Sequence, residues 1–137
     1  MGCPKEFSIK GGMGAALLAD PAKAAHILRT LSSQLDIPVT CKIRILPDLL
    51  DTIRLVQQLA VTGIAAIGIH ARTRDERPQH RPHPDVLHAV ASAVDIPIIA
   101  NGGSRDMHTF ARFGIWVTTV VVGSKSLKIA EMLAVPT

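Results

Sequence analysis

Tyrosine is absent from these 137 residues, and three phenylalanines and one tryptophan are the whole aromatic complement. Any core must therefore be aliphatic, and hydrophobic residues make up 47% of the chain to supply it. A mean hydropathy of +0.29 argues against disorder over most of the length. Cysteine is scarce as well. Cys3 and Cys41 make no disulfide framework, and no Cys/His set with zinc spacing surrounds either, so no metal site is expected. No apolar run approaches the ~18 residues a membrane span needs. The stretch "VTTVVVG" at 117–123 is far shorter. No secretory pattern opens the chain, and Glu6 stands where an N-myristoylation motif requires Ser or Thr. The expectation is a soluble, cytoplasmic protein without a membrane partner. Walker and Ser-His-Asp patterns are missing too, and "GGMG" at 11–14 is not a dinucleotide fingerprint.

What is present is unevenly placed. The formal charge is +4, and residues 70–83, "HARTRDERPQHRPH", gather Arg72, Arg74, Arg77 and Arg81 against Asp75 and Glu76. Such a cluster is either a solvated loop or an anion-facing one.

The architecture shows in a repeat. "DIPVTCKIR" (36–44) and "DIPIIANGG" (95–103) both run from Asp-Ile-Pro through apolar residues to a polar finish. "TGIAAIGIH" (62–70) and "VTTVVVG" (117–123) are further apolar runs. Short continuous runs between Pro and Gly read as buried strands of a parallel sheet, here near 38–44, 64–70, 96–100 and 117–122. The spacers read as helices. Asp20 caps one with Pro21 at its first position, and Ala24, Ile27, Leu28, Leu31 and Leu35 form its stripe. Asp48 caps a second carrying Leu49, Ile53, Val56 and Ala60, with Gly63 beyond its end. Val86, Leu87, Val90 and Val94 mark a third, and helices are also expected at 105–113 and 125–134. Alternating strands and helices mean an α/β fold. A closed (β/α)8 TIM barrel takes about 250 residues, so four strands make about half of one. A doubly wound open sheet is the alternative. The chain opens in what reads as a strand-to-helix loop without its strand, so a fragment is expected.

Barrel chemistry collects at the carboxyl ends of strands. Those ends carry Lys42 and Arg44, His70 and Arg72, Asn101-Gly102-Gly103-Ser104, and Gly123-Ser124-Lys125. A lysine within a covered strand is costly unless paired or aimed at an anionic ligand, so Lys42 is either a cation beside an electron-rich cofactor edge or a snorkelling surface residue. His70 can donate to the same ligand or serve the structure alone. The glycines after 101 let backbone N–H groups approach an anion, or make an ordinary tight turn. Gly123-Ser124 one strand later favours the first reading, because barrel phosphate sites use two consecutive loops. Cys3 reads as a small buried residue, a metal ligand or a proton donor.

The segments "MGCPKEFSIKGGMGAALL", "PVTCKIRI", "TGIAAIGIHARTRDERPQH" and "IPIIANGGS" resemble, in order, the catalytic domain of tRNA-dihydrouridine synthases, with the eukaryotic dihydrouridine synthase 2 branch the nearest. The resemblance covers residues 1–104 and weakens over 105–137, so the chain reads as one partial catalytic barrel, the C-terminal half. It implies an FMN-dependent enzyme that reduces a uridine of tRNA to 5,6-dihydrouridine, with NADPH reloading the flavin. Cys3 then matches the cysteine that protonates uracil C5. Lys42 and His70 match flavin-ring contacts, and Asn101, Gly102 and Gly103 match the first half of the phosphate-end site, with Gly123 and Ser124 in its second half. Arg72, Arg74 and Arg77 fall in the loop facing tRNA. Departures go with it: the family's first strands and the asparagine before the Met1 position are missing, and Lys125 stands near the place of an arginine. An isolated half barrel is expected to be marginally stable and to bind FMN poorly. The competing expectations are a non-catalytic truncated product and another phosphate-binding barrel, such as a sugar-phosphate isomerase or aldolase.

Overall fold

The computed structural model describes residues 1–102 and 120–122. Helix α1 (Glu6–Lys10) and a 3-10 turn (Gly14–Ala19) lead into α2 (Pro21–Gln34), followed by β1 (Thr40–Arg44), α3 (Leu49–Ala60), β2 (Ala66–His70), α4 (Pro84–Ala91), β3 (Ile98–Asn101) and β4 (Val120–Val122). The helices start where their caps dictate. The Asp20 carboxylate accepts from the Lys23 N–H at 3.0 Å, and Asp48 accepts from that of Asp51 at 3.0 Å. Thr52, fully buried at the start of α3, accepts from the Leu46 N–H at 3.0 Å and donates to the Asp48 carbonyl at 3.0 Å. That hydroxyl fixes the turn leaving β1.

One four-stranded sheet runs in the order β1-β2-β3-β4. The first three strands are parallel, with Ile43 beside Ile69 and Ile67 beside Ile98. Their alternation sends Cys41, Ile43, Ile67, Ile69 and Ile98 into one core with Leu28, Val56, Leu59 and Val90 from the helices. Each such side chain, fully buried, contributes about 1.5–3 kcal/mol. The opposite face of β1 carries Thr40 and Lys42, both exposed, and the half-buried Arg44.

The parallel α/β arrangement and the half-barrel reading of the sequence agree with this fold. Three details differ. β4 pairs antiparallel to β3, with Ile98 beside Val122 and Ala100 beside Val120, whereas four parallel strands are the sequence expectation. A run of valines has no directional signal, and either orientation satisfies the ladder. Helix α1 and the 3-10 turn lack an apolar stripe long enough to announce them. The stripe of α2 is also shorter than its spacing implies: Ala24 and Leu28 are buried, but Leu31 and Leu35 are exposed. Ile37, leading into the edge strand β1, is exposed too. The helices expected at 105–113 and 125–134 lie outside the described residues.

Candidate functional site

The carboxyl ends of the strands bring charged and polar residues into register. Arg44, His70 and Asn101 are direct neighbours across β1, β2 and β3, and one layer below, Lys42 pairs with Gly68. Gly68 leaves room for the lysine stem, whose Cγ lies 3.4 Å from where a Cβ would stand. Residues on this layer point away from the helices, so their charges are not forced into the aliphatic core.

Cys3 arrives at the same place from the other end of the chain. Arg44 Nε donates to the Gly2 carbonyl at 3.0 Å and ties the segment down over the end of β1. The Ala15 N–H donates to the Cys3 carbonyl at 2.9 Å. Gly14 makes this clamp possible: its φ is +56°, and a Cβ there would lie 2.7 Å from the Cys3 carbonyl oxygen. The result is a cavity of about 350 Å³ whose wall includes Cys3, Lys42, Arg44 and His70. Its volume is in the range of small-molecule sites. A second, wider cavity of about 800 Å³ opens on the other side of Cys3, between α1 and the loop carrying Arg74 and Arg77. Cys3 lines both.

The thiol is exposed, and the Ser8 hydroxyl donates to its sulfur at 3.4 Å. That bond and the Lys5 backbone N–H hold the thiol below the usual cysteine range, with the nearby charges of Lys5 and Arg44 acting in the same direction. Cys41 behaves oppositely: burial behind β1 pushes its thiol up to about 11 and leaves it inert. His70 is held down at about 4, first by burial and then by the charges of Arg44, Arg72 and Lys42. It is a neutral imidazole at physiological pH.

Arg72 is placed differently from its neighbours. Its Nη1 sits 3.1 Å from His70 Nε2, while Nε donates to the His80 carbonyl at 2.7 Å and Nη2 to that of Pro78 at 3.2 Å. It organises the loop from inside. Arg74 and Arg77 are exposed and line the wider cavity.

The loop from 71 to 83 is densely bonded for a stretch so charged. Glu76 accepts from the Thr73 N–H at 2.6 Å and faces His83 Nε2 at 2.7 Å, and its carboxyl is lowered to about 2, chiefly by His83 and then by the Thr73 N–H. The His83 N–H donates to the Ala71 carbonyl at 2.8 Å and closes the loop. Arg44 Nη1 reaches across from β1 to the carbonyls of Thr73 at 2.9 Å and Glu76 at 3.4 Å. Arg44 thus couples this loop to the Cys3 segment. The sequence marks Arg44 only as a polar strand end; its place on one face with Lys42 was the available signal.

The structure therefore brings Cys3, Lys42 and His70 together, with Asn101 beside His70. Gly102, at φ +109°, packs against the imidazole, so that a Cβ there would lie 2.8 Å from His70 Cδ2. Gly103, Gly123 and Ser124 lie outside the described residues. Among the described residues no group of three or more His, Cys, Asp or Glu side chains is arranged to hold a metal ion. No described helix is long and apolar enough to cross a membrane.

A sequence profile described as "Dihydrouridine synthase (Dus)" matches residues 1–135. A tRNA-dihydrouridine(20) synthase (NAD(P)+) of Saccharomyces cerevisiae is 36% identical over 116 residues, covering 80% of this chain and 30% of the relative. A human tRNA-dihydrouridine(20a/20b) synthase-like protein is 36% identical over 110 residues, covering 77% and 34%. A rat tRNA-dihydrouridine(16/17) synthase-like protein is 32% identical over 114 residues, covering 82% and 26%. The chain thus spans about a third or less of the length of these relatives. Among solved structures, a phosphonopyruvate hydrolase complexed with oxalate and Mg++ aligns with a TM-score of 0.55 at 18% identity, covering 73% of this chain and 38% of that one. That likeness is one of fold.

Proposed function

Since the chain belongs to the dihydrouridine synthase family, we propose that it carries the proton-donating and flavin-ring side of a site that reduces a tRNA uridine to 5,6-dihydrouridine, with FMN as the flavin and NADPH as the source of electrons. The observation behind this reading is the meeting of Cys3, Lys42 and His70 around one cavity, from three separate stretches of chain.

The residues suit a flavin. Its N1–C2 carbonyl edge is electron-rich, which matches the Lys42 ammonium and a neutral His70 able to donate from Nδ1. Asn101 at the next strand end and Gly102 beyond it allow close backbone approach. Bound there, a flavin would supply the hydride for reduction of the uracil ring.

Cys3 completes the reaction. As the C5=C6 double bond is reduced, its thiol gives a proton to C5 and becomes a thiolate, which solvent then reprotonates. A thiol whose titration is lowered by the Ser8 hydroxyl and the Lys5 backbone N–H gives up its proton more readily in such a step. The uracil must leave its stack to reach this depth, and the wider cavity beside Cys3, rimmed by Arg74 and Arg77, is the side from which it enters.

The test is to load the full chain with FMN, measure retained flavin by its visible spectrum, and assay uridine reduction in unmodified tRNA. Cys3→Ala is expected to retain as much flavin as the wild-type chain and to lose activity by about 10²–10⁴-fold, the usual worth of a positioned acid. Full activity without the thiol would overturn the assignment.

A further inference from the structure

The sulfur of Cys3 does not sit alone at the junction of the two cavities. Ser8, in the first turn of α1, is only 6% exposed although the helix has five residues and Phe7 beside it stands 67% in solvent. Its hydroxyl points at Sγ from 3.4 Å. The backbone around it is fixed on both sides: its N–H donates to the Lys5 carbonyl at 3.0 Å, and its own carbonyl accepts from Met13 at 2.8 Å. Gly14 packs against both residues, since a Cβ there would lie 3.0 Å from Cys3 Cβ and 3.2 Å from Ser8 Cβ. A serine so placed has little freedom to turn its hydroxyl to water.

We propose that Ser8 is a positioning residue for Cys3: its hydroxyl holds the sulfur at the mouth shared by the two cavities and donates to the negative charge that sulfur acquires when its proton leaves. This rests on the reading of Cys3 as the proton donor. A dipole aimed in advance at a developing charge lowers the barrier without reorganising during the step. The same bond favours the thiolate and is the first cause of the lowered titration of Cys3. The charges that act on Sγ are Lys5 from its own segment and Arg44 from β1. Arg74, Asp75, Glu76 and Arg77 line the wider cavity, and Lys42 and His70 the smaller one. None of these changes when Ser8 alone is replaced.

The experiment is the rate of iodoacetamide alkylation of Cys3 against pH in the full chain, with peptide mass spectrometry separating it from buried Cys41. Ser8→Ala is expected to move the Cys3 midpoint upward and slow alkylation at pH 7 by about three- to tenfold, the worth of one ordinary hydrogen bond. Ser8→Thr keeps the hydroxyl and is expected to restore the wild-type profile, whereas Ser8→Val, of the same shape, is not. An unchanged midpoint in Ser8→Ala or Ser8→Val, with far-UV circular dichroism intact, overturns the proposal. Should every Ser8 variant unfold, equality of the wild-type Cys3 midpoint with that of the same cysteine in urea still overturns the proposal. Cys3→Ala in the tRNA assay tests the acid role separately, because the thiol titration requires neither flavin nor tRNA.

Discussion

Arg72 Nη1 lies 3.1 Å from Nε2 of His70, and a guanidinium can only donate. Nε2 is therefore the acceptor, and the ring is neutral with its hydrogen on Nδ1. Burial and the charges of Arg44, Arg72 and Lys42 all act in the same direction and hold the ring at about 4. Nitrogen NMR of the imidazole is expected to show the Nδ1–H form throughout the range from pH 5 to 8. Arg72→Met is expected to raise the midpoint toward the ordinary value near 6.5. Because the folded ring resists protonation, the unfolded chain binds more protons between pH 6.5 and about 4. Stability contributed by neutral His70 is thus complete above that window and falls as pH drops through it. Solvent at this half-open edge limits the loss to about 1 kcal/mol, read from urea midpoints against pH.

Glu76 makes the loop from 71 to 83 sensitive to acid in a different window. Its carboxyl, held at about 2 by His83 and the Thr73 N–H, stabilises the loop above pH 4.5 and loses that effect as pH falls toward 2. Glu76→Ala is expected to speed amide exchange at Thr73 and His83 by about tenfold, roughly one charge-assisted hydrogen bond. Unchanged exchange at both amides would mean that Arg44, through the Thr73 and Glu76 carbonyls, holds the loop unaided.

Gly102 tests how tightly the end of β3 fits His70. A Cβ there would stand 2.8 Å from the ring, on a backbone at φ +109° that other residues rarely adopt. Gly102→Ala is expected to cost about 1–3 kcal/mol and to displace the imidazole, lowering flavin retention together with the urea midpoint. A variant of wild-type stability and flavin retention would show that the strand end yields easily.

How far these relationships can be read without coordinates depends on their range. Asp20-Pro21 and Asp48 announce α2 and α3 because capping is local, and Lys42 and His70 are found by asking what closes each apolar run. Ser8 escapes notice because its role depends on a five-residue helix turning it back toward Cys3. Arg72 shows where spacing stops being informative. By sequence it belongs with Arg74 and Arg77 as a tRNA-facing cation, yet the carbonyls of Pro78 and His80 fold back around its guanidinium and turn it toward His70. Nothing in the spacing of three arginines separates the inward one from the outward two. The direction of β4 is hidden for a similar reason, since Val120–Val122 reads the same both ways.

That division of the arginines makes the last prediction. Each phosphate contact to a flexible single strand or duplex adds about 0.7–0.9 to the slope of log affinity against log salt. Arg74 and Arg77, exposed on the rim beside Cys3, are expected to contribute to this slope in tRNA binding. The double variant Arg74→Ala/Arg77→Ala should therefore flatten it by about 1–2 units. Arg72→Ala should leave the slope unchanged and instead alter flavin retention, because its charge is spent on His70 and the two loop carbonyls. Equal flattening by Arg72→Ala would mean that the loop opens on tRNA and presents all three cations to the phosphates, and the inward role of Arg72 would then be confined to the unbound chain.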